Sequence, residues 1–240
     1  MNTLARVALM AEMHARDLLR RRIALALLVA LPLAFYFSSV RNGRDAIAGG
    51  GIGMAFAIAG ATLFSALSSL AVDQRLILSG YRPVELLLGR LAFLGPLAAG
   101  VSAGFAALMS GLSHPADPWL LGVGVATVGL AAVPLGLAIG AVVPRELEGT
   151  LAVIGVVGMQ MSTGTHSVLA KFLPFYGPRR LIDAAVDGHG SVAGPLLQTA
   201  LYSVALLVAA RLFLGPRLAV RRATPVPVPD DASALVGTTT

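Results

Sequence analysis

The chain has 240 residues, 56% of them hydrophobic and only 12% charged, with a mean hydropathy of +0.81 and a formal net charge of +6. A soluble domain carries about 25% charged residues, so this chain lacks the polar groups to cover itself in water. That excludes an ordinary soluble fold and implies an all-α integral membrane protein whose segments are apolar all round rather than striped.

The first residues, 1–22, place Leu4, Val7, Ala8, Ala11, Ala15 and Leu18 on one helical face and Arg6, Arg16 and Arg20 elsewhere. This pattern predicts an amphipathic helix lying in the membrane interface. Charges run through the segment and no small-residue cleavage site follows it, so it does not read as a signal peptide. A bilayer core needs about 20 apolar residues per helix, and six stretches within 23–214 meet that length. They are Ile23–Val40, Ile52–Val72, Pro83–Leu112, Pro118–Val143, Leu147–Ser167 and Val192–Leu214. An even number of spans puts both termini on one side. Placing them inside gives twelve Arg to the cytoplasm against four Arg and Lys171 outside. The positive-inside bias therefore predicts N-in and C-in.

Between the second and third spans lies "VDQRLILSGYRPVELLLGRL", Val72–Leu91, which holds an Asp, a Gln, three Arg and a Glu. "DQRLILS" predicts a short helix that Gly80 ends. Pro83 and Glu85 suit the first turn of the next helix. The result is a cytoplasmic cross-piece with Leu76, Ile77, Leu78 and Tyr81 on its surface beside Asp73, Arg75 and Arg82. Such a surface fits docking onto another protein, and equally a lipid-interface loop whose charges anchor the membrane ends.

The segment "KFLPFYGPRRLIDAAVDGHGS", Lys171–Ser191, is too long for a tight turn and too apolar for a solvated loop. Pro174 and Pro178 break it, and "PRRLIDAAVDG" predicts a short helix ended by Gly188. A re-entrant or interfacial hairpin on the outer face fits, since irregular backbone is tolerated there only against protein or a wet cavity. Residues 215–240, ending in the Pro-spaced "TPVPVPDDASALVGTTT", predict a largely disordered cytoplasmic tail.

Polar groups within the spans form two runs. Thr62, Ser65 and Ser69 share a face of the second span. Gln160, Thr163 and Ser167 share one on the fifth, with His166 nearby. Ser and Thr often do no more than bond their own helix and hold helices together. Gln160 and His166 are costlier to leave unpaired in lipid, and they mark a candidate strip along a translocation path. No Asp, Glu, Lys or Arg is expected deep in a span, which argues against an ion-coupled carrier. Gly136/Gly140 and Gly155/Gly158 permit close helix approach.

The amphipathic lead helix, six spans, a helical first cytoplasmic loop ending in "GYRPVELLLGRL" and the "LPFYGPRRLIDAAVDG" hairpin resemble the ABC-2 family of transporter permeases. "RPVELLLGR", Arg82–Arg90, carries the best match, and Asp73 stands where that family often has Glu. The resemblance implies an exporter subunit that pairs with a second permease copy or a paralogue. It also implies that Asp73, Arg75, Leu76, Ile77, Leu78, Tyr81 and Arg82 form a coupling helix seated in an ATPase subunit. Independently of the resemblance, a phosphate loop needs a Gly-rich turn followed by Lys-Ser/Thr. The only lysine, Lys171, sits in "SVLAKF", so ATP and Mg belong on a partner chain and no cofactor is expected on this one. Absence of cysteine removes thiolate metal ligands, and the expected surroundings are a lipid bilayer, not nucleic acid. The arginine-, alanine- and glycine-rich composition points to a bacterial plasma membrane. A rival reading is an intramembrane serine protease of rhomboid type, because "GVSAG", Gly100–Gly104, fits G-x-S-x-G. Ser102 would be the nucleophile and His166 its base.

Overall fold

The computed structural model describes residues 3–39, 43–163 and 167–218, and the regular elements within them are all helical. They are α1 (Thr3–Arg20), α2 (Arg22–Ser38), α3 (Gly43–Ser68), α4 (Leu70–Leu78), α5 (Pro83–Ser113), α6 (Pro118–Val142), α7 (Glu146–Ser162), α8 (Tyr176–Asp187) and α9 (Ala193–Leu218). A 3-10 turn, Leu169–Phe172, lies between α7 and α8.

Local chemistry sets many of the boundaries. Gly80 takes φ +89°, a left-handed geometry that suits a residue without Cβ, and the chain leaves α4 there. Pro83 opens α5 where its missing N–H is harmless, and the Glu85 carboxylate accepts the Arg82 N–H at 2.9 Å. Asp117 caps α6 by accepting the Leu120 N–H at 2.9 Å. Gly188, at φ +73°, ends α8 while its N–H bonds the Ala184 carbonyl at 2.9 Å. Pro178 lies inside the first turn of α8 and does not break it, because donors of that turn have no intrahelical acceptor to lose.

α6 is the central helix. It packs against α3, α5, α8 and α9, and most of its residues are buried. Its glycines make that contact possible. A Cβ added at Gly136 would lie 2.4 Å from the Ala59 carbonyl oxygen of α3, and one at Gly140 would lie 2.9 Å from Ala66 Cβ. The backbones of α3 and α6 thus meet directly. α2 and α3 form a hairpin in which Gly53 faces Pro32 and Phe35.

Among the described residues, four helical stretches are long and apolar enough to cross a membrane: Asp45–Ser68, Pro83–Ser113, Pro118–Val142 and Ala193–Leu218. α2 and α7 have 17 residues each. At about 1.5 Å per residue that is about 26 Å, just under a hydrocarbon core of about 30 Å. The second predicted span starts at Gly43 rather than Ile52, because "GGGIG" forms helix against α2 where a loop was expected. The helix of the fifth ends at Ser162 rather than Ser167.

The bundle has two distinct ends. One collects α1, α4, the start of α7 and the C-termini of α6 and α9, where Arg217 donates to the carbonyls of Gly140 (2.5 Å) and Val143 (3.0 Å). The other holds α8 against the α5–α6 turn, with the Asp117 N–H bonded to the Ala185 carbonyl at 2.9 Å. There the Tyr36 hydroxyl also meets Ser113 Oγ at 2.5 Å.

Candidate functional site

α4 lies across the first end of the bundle, between α3 and α5, and its polar side chains divide into a buried set and an exposed set. Asp73 is fully buried at 0% exposure, and Arg90, seven residues into α5, is 1% exposed. The Arg90 guanidinium donates to the Asp73 carboxylate and to Ser69 Oγ, and reaches the Ala66 carbonyl at 3.5 Å. Ser69 in turn donates to the Ser65 carbonyl at 2.8 Å. One buried cation thus joins α5 to the end of α3 and the start of α4. Asp73 Oδ1 and Arg90 Nε have no partner among the described residues, so the pair is incompletely compensated. Burial pushes the Asp73 carboxyl up to about 6 against the opposing pull of Arg90.

A second connection comes from α1. Arg6 donates to the Gly80 carbonyl at 3.0 Å and to Glu85 at 3.3 Å, and its guanidinium lies 5.1 Å from the centre of the Tyr81 ring. The turn leaving α4 is therefore strapped to the lead helix. α1 itself docks on α5 through Met10 and His14, both buried, with Gly89 leaving room for Met10. Of the apolar face read from the sequence, Val7, Ala11, Ala15 and Leu18 are half-buried, while Leu4 and Ala8 are exposed. Burial and the nearby positive charge of Arg90 hold His14 down at about 4, with Asp17 opposing.

The surface left open on α4 is smaller than the sequence implied. Leu76, Ile77 and Tyr81 are half-buried against the core. Leu78 is 70% exposed, and Val72, Arg75 and Arg82 are exposed with it. Asp73 is absent from that surface because it is turned inward to Arg90.

The predicted polar strip is distributed over different places. Thr62 is buried against Gly136 with its hydroxyl unpartnered among the described residues. Ser65 lines a cavity at the α1 end, and Ser69 belongs to the Arg90 network. Gln160 is 2% exposed, and both of its amide atoms lack partners among the described residues. Thr163 bonds back to the Met159 carbonyl at 2.6 Å. Arg179 of α8 donates to the carbonyls of Gln160 (3.2 Å) and Thr163 (3.3 Å), so it caps the C-terminus of α7 where a cation is favoured. Ser167 accepts the Leu169 N–H at 3.2 Å. His166 lies outside the described residues. Ser102 is buried on α5, where a Cβ at Gly129 would come within 2.4 Å of its hydroxyl.

Arg90 is the group that sequence reasoning missed. It was assigned to the cytoplasmic loop, yet it is an arginine buried inside a long apolar helix. The available signal was its distance past Pro83, two helical turns into the segment, beside a glycine. Among the described residues no group of three or more His, Asp or Glu could hold a metal. Compared with known proteins, the chain matches no family model and no curated protein.

Proposed function

We propose that this chain is the membrane-spanning permease subunit of an ATP-driven ABC exporter of the ABC-2 type. It works as a dimer with a second copy or a paralogous permease, and a separate subunit hydrolyses ATP. In this reading α2, α3, α5, α6, α7 and α9 are six spans of a bacterial plasma-membrane protein with N-in and C-in topology. α8 with its preceding turn is an interfacial hairpin on the outer face, and an apolar or amphipathic substrate moves outward.

The observation that carries the proposal is the construction of α4. A surface helix that served only as a membrane anchor needs no internal wiring. α4 instead has an inward face tied to α3 and α5 through Asp73–Arg90–Ser69 and to α1 through Arg6, while Leu78, Val72, Arg75 and Arg82 face outward. Force applied to the outward face has a buried link to α3 and α5 through Arg90 and a partly exposed one to α1 through Arg6, which is what a coupling helix requires. The sequence holds no Gly-rich turn followed by Lys-Ser/Thr, which supports an ATPase on another chain. The arginine-rich end of the bundle is the one that holds α1 and α4, in keeping with a cytoplasmic location.

The test is Leu78→Asp, since Leu78 is exposed and its replacement leaves the bundle intact. A tagged chain purified from its native membranes should bring ATP hydrolysis and a subunit with a Gly-rich phosphate loop. Leu78→Asp should remove both, because a carboxylate would enter a desolvated cleft, whereas Arg75→Ala at the rim should weaken them less. Equal ATP turnover in the wild-type and Leu78→Asp preparations would overturn the coupling assignment.

A further inference from the structure

A cavity of about 480 Å³ lies at the α1 end of the bundle. It opens between α2 and α5 over α3, is covered by α1, and has the size of a small-ligand site. Its two ends differ chemically. His14, Asp17, Arg21, Ser65 and Glu146 gather at the end under α1. The deeper wall is formed by Leu28, Leu31, Phe56, Phe93 and Leu94. The mouth carries Leu27, 58% exposed, and Phe64, 43% exposed.

The charges at the polar end do not cancel. Arg21 is paired with Asp17 at 3.1 Å, His14 is held neutral at ordinary pH, and the exposed Glu146 carboxylate is in none of the ion pairs among the described residues. Among the charged groups lining the cavity, one negative charge remains beside an apolar slot.

We infer that this cavity binds a cationic amphiphile, with its ammonium-type head at Glu146 and its apolar part along the α2–α3–α5 wall. A head group at the level of α1 and a tail in the bundle match the depth ordering of an amphiphile in one bilayer leaflet. If the exporter reading holds, this is a class of molecule presented to the permease, but binding at the cavity depends on no ATPase.

Gly60 supplies a clean test. It lies on the cavity wall, and a Cβ added there would meet no atom within 4 Å. Gly60→Leu should fill the slot without disturbing α3 and with unchanged thermal stability. The probe is an alkyltrimethylammonium bearing a diazirine in its chain, applied to the purified chain in maltoside micelles, which contain no ammonium group. Light should label residues around Phe56 and Phe93. Unlabelled alkyltrimethylammonium should compete at least tenfold better than an alkyl sulfate of equal chain length. Gly60→Leu should abolish the labelling, and Glu146→Gln should weaken it severalfold. Adding phosphatidylethanolamine separates the sources: suppression assigns the site to a lipid ammonium head, and persistence assigns it to a foreign cation. Equal competition by the sulfate, or undiminished labelling of a stable Gly60→Leu protein, would overturn the inference. Either result leaves the coupling role of α4 untouched.

Discussion

Arg90 and Asp73 form a pair that neither residue type invites on its own, since each charge would be expelled from the bundle if left alone. Removing one partner strands the other, which costs about 3 to 5 kcal/mol, whereas replacing both by apolar residues of similar volume is often neutral. Arg90→Met or Asp73→Leu alone should therefore lower the thermal midpoint in detergent sharply, and the double variant should recover most of the loss. If the single losses simply added, the pair would not be interacting. The same residue has a pH signature. Between pH 4 and 6 the folded Asp73 carboxyl keeps a proton that its unfolded form, near 3.8, has released, so its contribution to stability falls as pH rises. His14 acts in the opposite sense. Its unfolded form holds a proton up to about 6.5 that the folded form has shed down to about 4, so its contribution rises with pH over the same window. Wild-type stability should be nearly flat from pH 4 to 6. His14→Leu should expose a fall across that interval and Asp73→Asn a rise, both visible in thermal melts at stepped pH. Matching slopes in the two variants would contradict these proton assignments.

Helix ends were easier to read than helix faces. Gly80, Pro83, Glu85 and Gly188 mark their boundaries correctly because a cap or a left-handed turn is decided within a few residues of the chain. The partner of Arg90, Asp73, lies 17 positions back on another helix, and Arg6 reaches Glu85 across 79 positions, so no local pattern encodes either contact. The start of α3 was misplaced for a related reason. A run of glycines is compatible with a loop or with a helix that must approach another closely, and only the packing of α2 decides between them. The glycine pairs show the same division. Gly136 meets the α3 backbone, while a Cβ at Gly155 or Gly158 meets nothing within 4 Å. Gly136→Ala should destabilise the bundle by about 1 to 3 kcal/mol through overpacking. Gly155→Ala in the same assay should leave the midpoint unchanged or raised, because alanine favours helix. A reversal of that order would mean that α3 and α6 are not in backbone contact.

At the scale of the whole molecule, composition was sufficient to establish helices suited to a membrane, but not the number of crossings. The four longest stretches satisfy the length requirement on their own, and α2 and α7 come within about 4 Å of it. The described arrangement pairs α2 antiparallel to α3 and carries Tyr36 to Ser113, so the C-terminal end of α2 sits level with the α5–α6 turn. That geometry ties the topology of the short helices to that of the long ones. If α3 and α5 cross, then α2 crosses beside them, and its end must emerge with Ala116 and Gly190. The native chain contains no cysteine, so single cysteines give a direct reading. Replacements at Ser38, Ala116 and Gly190, all at the α8 end, should react with an impermeant maleimide in intact cells. Replacements at Arg75 and Glu148 should react only after permeabilisation. Labelling of Ala116 and Gly190 from outside with Ser38 protected until permeabilisation would separate α2 from the spans and reduce the layout to fewer crossings. Labelling of Arg75 in intact cells would invert the orientation and place α4 where no ATPase could reach it.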